Sequence, residues 1–517
     1  MKKIKILWTD DEVEALKPHI IFLEEKGYEI DTCSNGNDTL DLVKQNPYDI
    51  IFLDENMPGL SGIETLRKIK EIRTDIPVVM ITKSEEEEIM EAAIGLEITN
   101  YLIKPIKPTQ ALLVIKKIID QKRLITEKTT IDYRHDFNKI SDMISAASTF
   151  TDWTEIYKKI VFWELELEKS TDPALSEVLK LQENDANNLF SKFIVNNYLD
   201  WFKTENAIKP LISPNLLPAK VFPHLKQGVP VFFFLIDNLR FDQWKTISAE
   251  LAGLYRLIEE DMYLTILPTA TQFCRNSIFA GIMPSTIAET MPQYWVSEEE
   301  EQGKNNFEED MLRLHLLRKK LNINWSYHKI QNSQEGKKVN EKLKALLNND
   351  LNVMVFNFVD MLSHARTESG IIRDLATEEP AYRSLTRSWF LHSSLFETLK
   401  MLAGKQVKVI FSSDHGTIRV QNPLKIIGDK RTSSNLRYKM GKSLDYDPKK
   451  VFELKEPQKA MLPKSNLSSR YIFATNKDFL VYQNNFNHYA SYYKDTFQHG
   501  GISMQEMMMP VAYMEPI

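Results

Sequence analysis

Cysteine is scarce in this sequence. Its 517 residues include only two cysteines, Cys33 and Cys274, which lie far apart along the chain. So few cysteines argue against a disulfide framework and suit a reducing compartment. No apolar run approaches the roughly 20 residues that a membrane-spanning helix needs, and the N-terminal segment turns acidic too soon for a signal peptide. We therefore expect a cytoplasmic protein without membrane insertion.

A strong excess of one charge is also missing. The 65 Lys and Arg residues nearly balance the 71 Asp and Glu residues, and the formal net charge is −6. Strong generic attraction to duplex DNA is therefore not expected. The sequence has no turn followed by a recognition helix rich in Arg and Lys, so it does not predict a duplex-DNA-binding domain either. The length of the chain predicts two to four domains.

The first 120 residues contain apolar, strand-like segments that alternate with helical segments. The five strand-like segments are IKILWT, IDTCS, DIIFLD, PVVMIT and TNYLIK. This alternation predicts an α/β domain with a doubly wound, five-stranded parallel sheet that is covered by helices on both faces. In such sheets, ligands bind at the carboxyl ends of the strands.

Polar side chains collect at those strand ends. Asp10 and Asp11 follow the first strand, Asp54 and Thr82 end the third and fourth, and Lys104 follows the fifth. Any one of these aspartates could merely cap a turn. Three carboxylates at one edge would repel each other unless a cation lay between them, and oxygen ligands suit Mg²⁺. A nearby lysine could pair with an anion that binds at the same edge.

This set of residues resembles the receiver domain of two-component response regulators. The resemblance covers residues 3 to about 120 and predicts a receiver domain over residues 1–120. It implies that a sensor histidine kinase phosphorylates Asp54. It also implies a magnesium site made of Asp10, Asp11, Asp54 and the backbone carbonyl of Asn56. The family pattern further includes two residues that contact the phosphoryl group and one aromatic switch residue, here Thr82, Lys104 and Tyr101.

Residues 121–206 contain no glycine, and helical spacing dominates there. Apolar side chains recur at helical intervals in one stripe, whose members are Trp153, Ile156, Tyr157, Ile160 and Val161. Asp172 followed by Pro173 is typical of the start of a helix. The segment therefore predicts an all-α helical bundle that links two domains. We interpret the aromatic stripe as core packing, with a cofactor site as the alternative.

Three apolar segments in residues 207–517 each end in a carboxylate. VPVFFFLI precedes Asp237, NVMVFNFV precedes Asp360, and VKVIFSS precedes Asp414 and His415. Such strands, separated by helical segments, predict a second α/β domain. We expect each of the three carboxylates to lie at the end of its strand.

Two further histidines extend the set of candidate metal ligands. His364 follows Asp360 by four residues, which would place both side chains on one face of a helix. His499 precedes two glycines that allow close approach of the backbone. Mixed carboxylate and imidazole ligands suit Zn²⁺, with Mn²⁺ as the alternative. Six such ligands are too many for one tetrahedral ion and predict two ions.

The segment ILPTATQFCRNSIFAG, residues 266–281, has two threonines directly after Pro268. One interpretation is that a threonine caps the following helix, and the other is that Thr269 or Thr271 is a nucleophile at a helix N-terminus. The local sequence does not decide between them. Arg275 and Asn276 could contact phosphate oxygens, face solvent or cap the helix.

The ligand set resembles the alkaline phosphatase superfamily, in particular its PglZ-type branch. The resemblance implies one zinc site formed by Asp237, Thr271, Asp414 and His415. It implies a second zinc site formed by Asp360, His364 and His499. Thr271 would be the nucleophile and Thr269 the helix-entry residue.

The order of receiver, helical linker and PglZ-type domain resembles the PorX family of response regulators, which control type IX protein secretion. The resemblance implies a cytoplasmic protein that forms a homodimer on phosphorylation and has zinc-dependent phosphodiesterase activity on nucleotides or oligonucleotides. Two alternatives stay open for the output domain. It could be a zinc-stapled interaction module that binds a sigma factor or a secretion-system component, or it could be a phosphomonoesterase.

Residues 421–470 include the basic stretch GDKRTSSNLRYKMGK. One interpretation is a solvated loop. The other is a cover that binds a polyanionic substrate over the metal site.

Overall fold

The computed structural model describes residues 4–73, 76–83, 98–169, 173–203, 209–225, 228–296, 303, 305–368, 378–428, 435–464 and 469–517. These residues form two compact units, one up to Asp132 and one from Tyr133 to Ile517. Among the described residues, no helix is both long enough and apolar enough to cross a lipid bilayer.

The first unit is built on a five-stranded parallel sheet. Its strands are β1 Lys5–Thr9, β2 Glu29–Cys33, β3 Ile50–Asp54, β4 Val78–Thr82 and β5 Asn100–Ile103. The spatial order is β2-β1-β3-β4-β5, and each neighbouring pair is parallel. The helices described between these strands are α1 Lys17–Glu25, α2 Gly36–Gln45 and α3 Gly62–Ile72. The predicted doubly wound fold is confirmed.

Local sequence signals explain where two of these helices begin. The side chain of Asn35 accepts a hydrogen bond from the backbone N–H of Asp38 at the start of α2. At the start of α3, Ser61 and Glu64 form a reciprocal capping box. Strands β1, β3 and β4 are apolar on both sides because helices cover both faces of the sheet.

Three long helices follow, namely α4 Pro108–Ala146, α5 Phe150–Glu168 and α6 Pro173–Asn197. The predicted apolar stripe of α5 is buried, and Trp153 packs edge-on against Phe190 of α6. This confirms the all-α linker and the core-packing interpretation of the stripe. Helix α6 starts at Pro173 as predicted, whereas Asp172 lies outside the described residues.

The second unit contains thirteen further strands in the described residues. They are β6 Val231–Ile236, β7 Tyr255–Leu264, β8 Trp325–Ile330, β9 Leu351–Phe356, β10 Lys408–Ser412, β11 Ile418–Arg419, β12 Asn422–Ile426, β13 Tyr438–Gly441, β14 Val451–Leu454, β15 Arg470–Ala474, β16 Asp478–Tyr482, β17 Phe497–Gln498 and β18 Met508–Pro516. The main sheet has six strands in the order β7-β18-β10-β6-β9-β8. Strands β10, β6, β9 and β8 are parallel, and β18 runs antiparallel to both of its neighbours.

Three small sheets accompany the main sheet, with the pairings β11-β17, β12-β16 and β13-β15-β14. The helices of this domain are α7 Phe241–Ala249, α8 Thr271–Ala280, α9 Pro284–Thr290, α10 Glu308–Arg318, α11 Ser333–Glu341, α12 Leu343–Leu346, α13 Phe358–Glu368, α14 Glu379–Leu391, α15 Ser394–Leu402, α16 Phe486–Tyr493 and α17 Met504–Met507. Single helical turns span Val13–Leu16, Asp200–Phe202, Ser213–Asn215, Leu217–Val221, Phe222–His224, Pro292–Tyr294 and Pro457–Ala460. The predicted second α/β domain is confirmed.

Candidate metal centre

The central strand β6 carries the first candidate ligand at its end. Asp237 follows β6 directly, and its backbone N–H donates to the carbonyl of Phe356 at the end of β9. Asn238 then turns the chain away with a left-handed φ of 64°. Asp237 is buried, and burial raises the pKa of its carboxyl well above the usual range although Arg275 opposes that shift.

Asp414 and His415 follow the neighbouring strand β10. One carboxylate oxygen of Asp414, Oδ1, accepts the backbone N–H of Asn238 at 3.2 Å and that of His415 at 3.0 Å. Burial alone would raise the pKa of Asp414, but Arg275 and His415 bring it below its usual value. Asp414 is therefore the more readily ionised of the two buried aspartates.

Thr271 brings a hydroxyl to the same place. It is the first residue of α8, and its Oγ1 lies 3.0 Å from Nε2 of His415. Ligand atoms of Asp237, Asp414 and His415 all lie within 4.8 Å of one another. The structure thus brings together the four residues predicted for the first site, which we call the Asp237 cluster (Asp237, Thr271, Asp414 and His415).

Arg275, one turn further along α8, lies behind this cluster and is fully buried. Its guanidinium forms an ion pair with Asp237 and contacts Oδ2 of Asp414 at 2.9 Å and Oε1 of Glu308 at 3.2 Å. Glu308 also accepts a hydrogen bond from Lys329 at 3.0 Å. Of the three roles expected for Arg275, solvent exposure is therefore wrong. The positive charge of Arg275 pairs with these carboxylates, because buried charges without a partner of opposite sign are strongly unfavourable.

Asp360, His364 and His499 form a second group, which we call the His499 cluster, with ligand atoms within 4.8 Å of one another. His364 Nε2 lies 3.5 Å from Asp360 Oδ2, and His499 Nε2 lies 3.8 Å from Asp360 Oδ1. The side chain of His364 is 60% exposed, so this cluster opens to solvent.

The expectation that Asp360 ends a strand is wrong. Strand β9 ends at Phe356, and Asp360 lies in the first turn of α13. Phe358 and Val359 are apolar residues of that helix, and they lengthen the apparent strand in the sequence. The shared helical face predicted for Asp360 and His364 is confirmed by their ion-pair distance.

The two clusters adjoin each other through their histidines. The rings of His415 and His499 are stacked with centroids 4.3 Å apart. Burial, and then the neighbouring His415, lower the pKa of His499 to about 3. His499 is therefore a neutral imidazole at neutral pH, which is the form that can bind a metal ion.

Thr269 forms hydrogen bonds with residues 499–501, which we call the His499 loop. Its hydroxyl donates to the carbonyl of Gly501 at 3.0 Å and accepts the N–H of Gly500 at 2.9 Å, while Nδ1 of His499 lies 3.1 Å from the Thr269 carbonyl. Gly500 has a φ of 124°, which a residue with a side chain rarely adopts. The helix-entry role predicted for Thr269 is wrong, because Ala270 occupies the cap position of α8.

The sequence did not point to Asn238, which contacts both clusters. Its backbone N–H donates to Asp414, and its side-chain amide donates to Asp360 Oδ1 at 3.1 Å. Its left-handed backbone makes both contacts possible from one residue. The enrichment of asparagine among residues with positive φ is the one signal that could have indicated a special position here.

The five-stranded parallel domain has its own acidic cluster. Ligand atoms of Asp10, Asp11 and Asp54 lie within 4.8 Å of one another. Lys104 Nζ contacts Asp10 at 2.8 Å and Asp54 at 3.0 Å. Burial raises the pKa of Asp54 above its usual value, Lys104 opposes that shift, and the two other aspartates add to it.

The other receiver residues surround this edge. Thr82 ends β4 and is buried, and its carbonyl accepts the N–H of Lys104 at 2.8 Å. Asn56 is exposed two residues after β3. Tyr101, on β5, is 41% exposed.

The basic segment 421–470 is largely structured, so the solvated-loop interpretation is wrong for the described residues. It contributes β12, β13 and β14. Arg437 is fully buried and donates to both carboxylate oxygens of Glu506, at 3.0 and 2.6 Å. This arginine is therefore committed to an internal partner. Residues 429–434 of the basic stretch lie outside the described residues.

Three family models match the chain in order. Residues 6–116 match the response regulator receiver domain, residues 123–202 match the PorX response regulator linker domain, and residues 216–514 match the BREX system PglZ alkaline phosphatase-like domain. The last match covers more than half of the chain. The chain belongs to the PglZ alkaline phosphatase-like family. Its three matched segments together form the PorX-type response regulator architecture.

Individual relatives resemble the receiver domain. The transcriptional regulatory protein ResD of Bacillus subtilis (strain 168) is 33% identical over 115 residues, which are 22% of this chain and 48% of that protein. Regulatory protein VanRB of Enterococcus faecalis is 33% identical over 104 residues, which are 20% of this chain and 47% of that protein. The chain thus spans about half the length of the curated relatives it matches.

A response regulator receiver domain protein from Clostridium thermocellum is a similar solved structure. It is 31% identical, and the match covers 23% of this chain and 98% of that protein, with a TM-score of 0.23. The family models, which match residues 6–116 and 216–514, show that the chain is a response regulator with a receiver domain and an alkaline phosphatase-like output domain. A receiver domain implies phosphorylation by a sensor kinase.

Proposed function

We propose that the output domain is a zinc-dependent phosphodiesterase with Thr271 as its nucleophile and nucleotides or oligonucleotides as substrates. The observation that carries the proposal is the contact of 3.0 Å between Thr271 Oγ1 and His415 Nε2. It occurs beside two groups of carboxylate and imidazole ligands. Membership of the alkaline phosphatase-like family supports a phosphate ester as the substrate class.

The donor atoms fit two zinc ions. Within the described part of the chain, Oδ1 of Asp237 is buried and has no hydrogen-bond donor. A buried carboxylate oxygen without a donor is costly, and a cation would satisfy it. The Asp237 cluster would hold one zinc ion and the His499 cluster a second. When bound, zinc would supply Lewis acidity and lower the pKa of an oxygen nucleophile.

The residues of the chain account for the remaining chemistry. The Thr271 hydroxyl attacks phosphorus, an alcohol leaves with the proton, and a phosphothreonine forms. Water then attacks that phosphorus and restores the threonine. The positive end of the α8 helix dipole, at Thr271, would stabilise the phosphate oxygens. Two in-line displacements give net retention of configuration at phosphorus.

One paired assay tests this proposal against both alternatives. Zinc-loaded protein is compared on bis-p-nitrophenyl phosphate and p-nitrophenyl phosphate, with Thr271→Val as the control and with zinc content measured on the same samples. Faster hydrolysis of the diester, lost in Thr271→Val, supports the proposal. Faster hydrolysis of the monoester indicates a phosphomonoesterase. Bound zinc without hydrolysis of either ester indicates a zinc-stapled interaction module.

We also propose that a sensor histidine kinase phosphorylates Asp54 with Mg²⁺ held by Asp10, Asp11, Asp54 and the carbonyl of Asn56. In the described residues, Oδ1 of Asp54 is buried without a hydrogen-bond partner, which supports a ligand at this oxygen. Thr82 and Lys104 would contact the phosphoryl group, and Tyr101 would change its rotamer. Phosphoaspartate detected after incubation with acetyl phosphate, and absent in Asp54→Ala, is the expected result.

The PorX-type architecture supports a role in the control of type IX protein secretion, with a sigma factor or a secretion-system component as a further partner. Strains that carry Asp54→Ala or Thr271→Val in place of the natural residue test this role. Reduced secretion in both strains supports it, and unchanged secretion in both contradicts it.

A further inference from the structure

The linker helix α6 makes buried polar contacts with the output domain. Asn187, fully buried on α6, accepts the backbone N–H of Met504 at 2.8 Å and donates its amide to Gln505 Oε1 at 2.9 Å. Gln505 in turn donates to Glu183, one turn earlier on α6, at 2.5 Å. Both partners of Asn187 lie on the short helix α17. The linker thus fixes the position of α17 through specific hydrogen bonds rather than apolar contact alone.

Helix α17 also forms hydrogen bonds with the His499 loop. Glu506, also fully buried, accepts the N–H of Gly501 at 2.9 Å and the hydroxyl of Ser503 at 2.6 Å. Arg437 contacts the same carboxylate at 2.6 Å. Since Gly501 also accepts the hydroxyl of Thr269, the backbone beside His499 is held from both sides.

Few alternative partners are available to these groups. Asn187, Ser503 and Glu506 are all less than 1% exposed. A displacement of α17 would leave a buried amide, a buried N–H and a buried carboxylate without these partners, and unpaired buried polar groups are unfavourable. The positions of α6, α17 and the His499 loop are therefore interdependent.

We propose that Asn187 of the linker is a positioning residue for His499, and that the second metal site is fully formed only when the linker holds α17 in place. This inference rests on the proposed function, because it assigns a metal ion to the His499 cluster. Asn187 contacts none of the three ligands. It acts through Met504, Glu506 and Gly501 on the orientation of the imidazole. The Asp237 cluster should depend on it less, because Arg275 holds Asp237 and Asp414 from another helix, although the backbone N–H of Gly416 also donates to the carbonyl of Glu506 at 3.2 Å.

The test is a metal titration of the full chain. Asn187→Leu keeps the size of the side chain and removes both hydrogen bonds. Loss of a group that hydrogen-bonds a metal ligand directly typically weakens metal binding about 10–100-fold. Asn187 acts through intervening residues, so the second zinc ion should bind up to about tenfold more weakly. The binding of the first ion should weaken much less than that of the second. The absorption spectrum of cobalt-loaded protein should change mainly in the second equivalent, as it should in His499→Ala.

Gln182→Leu is the matched control, because Gln182 lies on the same helix and is also buried. Its amide donates to the carbonyl of Phe137 at 2.9 Å and to the hydroxyl of Ser141 at 2.8 Å, inside the bundle. This variant should bind both ions normally. Far-UV circular dichroism and binding of the first ion report on folding, and Asn187→Ala provides a smaller second variant.

The possible outcomes separate the inference from the function on which it rests. Two ions with normal affinity and normal cobalt spectra in both Asn187 variants overturn the inference and leave the proposed function intact. Equal loss of both ions in Asn187→Leu and in Gln182→Leu also overturns it, because the effect is then general instability. Natural protein that binds no second ion overturns the proposed function and the inference together.

Discussion

The hydroxyl oxygen of Thr271 lies 3.0 Å from Nε2 of His415, although the two residues are 144 positions apart in the sequence. Thr271→Val keeps the shape of the side chain and removes this hydroxyl. Diester hydrolysis should fall by a factor on the order of 10³ or more, as expected when a nucleophile is removed, while the melting temperature stays close to that of the natural chain. A Thr271→Val variant with substantial activity would show that another group attacks phosphorus.

Thr269→Val should give a different result, because Thr269 holds the His499 loop. The substitution leaves the N–H of Gly500 and the carbonyl of Gly501 without the hydroxyl that they contact. Each lost buried hydrogen bond costs about 1–3 kcal/mol, so urea unfolding should show lower stability. Zinc binding to the His499 cluster should weaken, and excess zinc should restore part of the activity. Restoration by zinc is not expected for Thr271→Val.

Arg275→Lys tests the support behind the Asp237 cluster. Lysine keeps the charge but lacks the planar fork that reaches Asp237, Asp414 and Glu308 together. We expect zinc binding at this cluster to weaken about tenfold or more, with the second ion little affected.

The matched control is Arg383→Lys. Arg383 is also buried and contacts Asp242 at 2.8 Å, but it contacts neither ligand cluster. This control should lose stability and retain normal zinc affinity. Similar zinc affinities in the two variants would contradict the positioning role of Arg275.

Phosphorylation of Asp54 should change the oligomeric state. In the unphosphorylated protein, Lys104 contacts Asp54 at 3.0 Å. A phosphoryl group on Asp54 adds negative charge beside this lysine. Rearrangement of Thr82 and Tyr101 would alter one face of the receiver, and the altered face would pair with the same face of a second chain. Light scattering should show a shift from monomer to dimer with beryllofluoride and Mg²⁺. Asp54→Ala should abolish the shift, and one mass under all conditions would refute the prediction.

His315 should make stability sensitive to acid. Burial of the ring, and then the nearby charge of Arg318, lower its pKa to about 4, although the contact of 3.2 Å between Nδ1 and the carbonyl of Phe279 opposes that shift. The unfolded chain takes up the proton near pH 6.5, so the free energy of unfolding should fall as the pH drops from about 6.5 to about 4, by roughly 3 kcal/mol in total. This contribution is fully present above pH 6.5.

Urea unfolding of the natural chain and of His315→Gln at pH 7 and pH 5 measures this effect. The natural chain should lose about 2 kcal/mol more than the variant between these two pH values. Equal losses would show that His315 takes up its proton with a pKa near that of the unfolded state.

The positions of the candidate ligands could largely be predicted from the sequence, because buried strands in a parallel sheet end at one edge. Asp237 and Asp414 illustrate this rule, and whether they bind zinc stays a prediction. Asp360 could not be placed correctly, because Phe358 and Val359 are apolar for reasons of helix packing and resemble the end of a strand. Local periodicity does not distinguish these two causes.

The groups that support the ligands could not be predicted, because their partners are distant in the sequence. Arg275 contacts Glu308 at a separation of 33 residues, and Thr269 contacts Gly500 at a separation of 231 residues. An arginine or a threonine in a helical or turn segment gives no local indication that it will be buried against a particular partner. The fold follows from periodic patterns, whereas these contacts depend on the completed tertiary structure.

Strand β18 lies inside the main sheet, between β7 and β10, although it is the last strand along the chain. Val511 pairs with Ser412 on one side and with Asp261 on the other. During translation, both neighbouring strands therefore present an unpaired edge until residues 508–516 have left the ribosome, and such edges are prone to aggregation. His499 emerges only shortly before this strand. Closure of the sheet and completion of the His499 cluster thus both require residues 499–516, which follow every other strand of the main sheet along the chain.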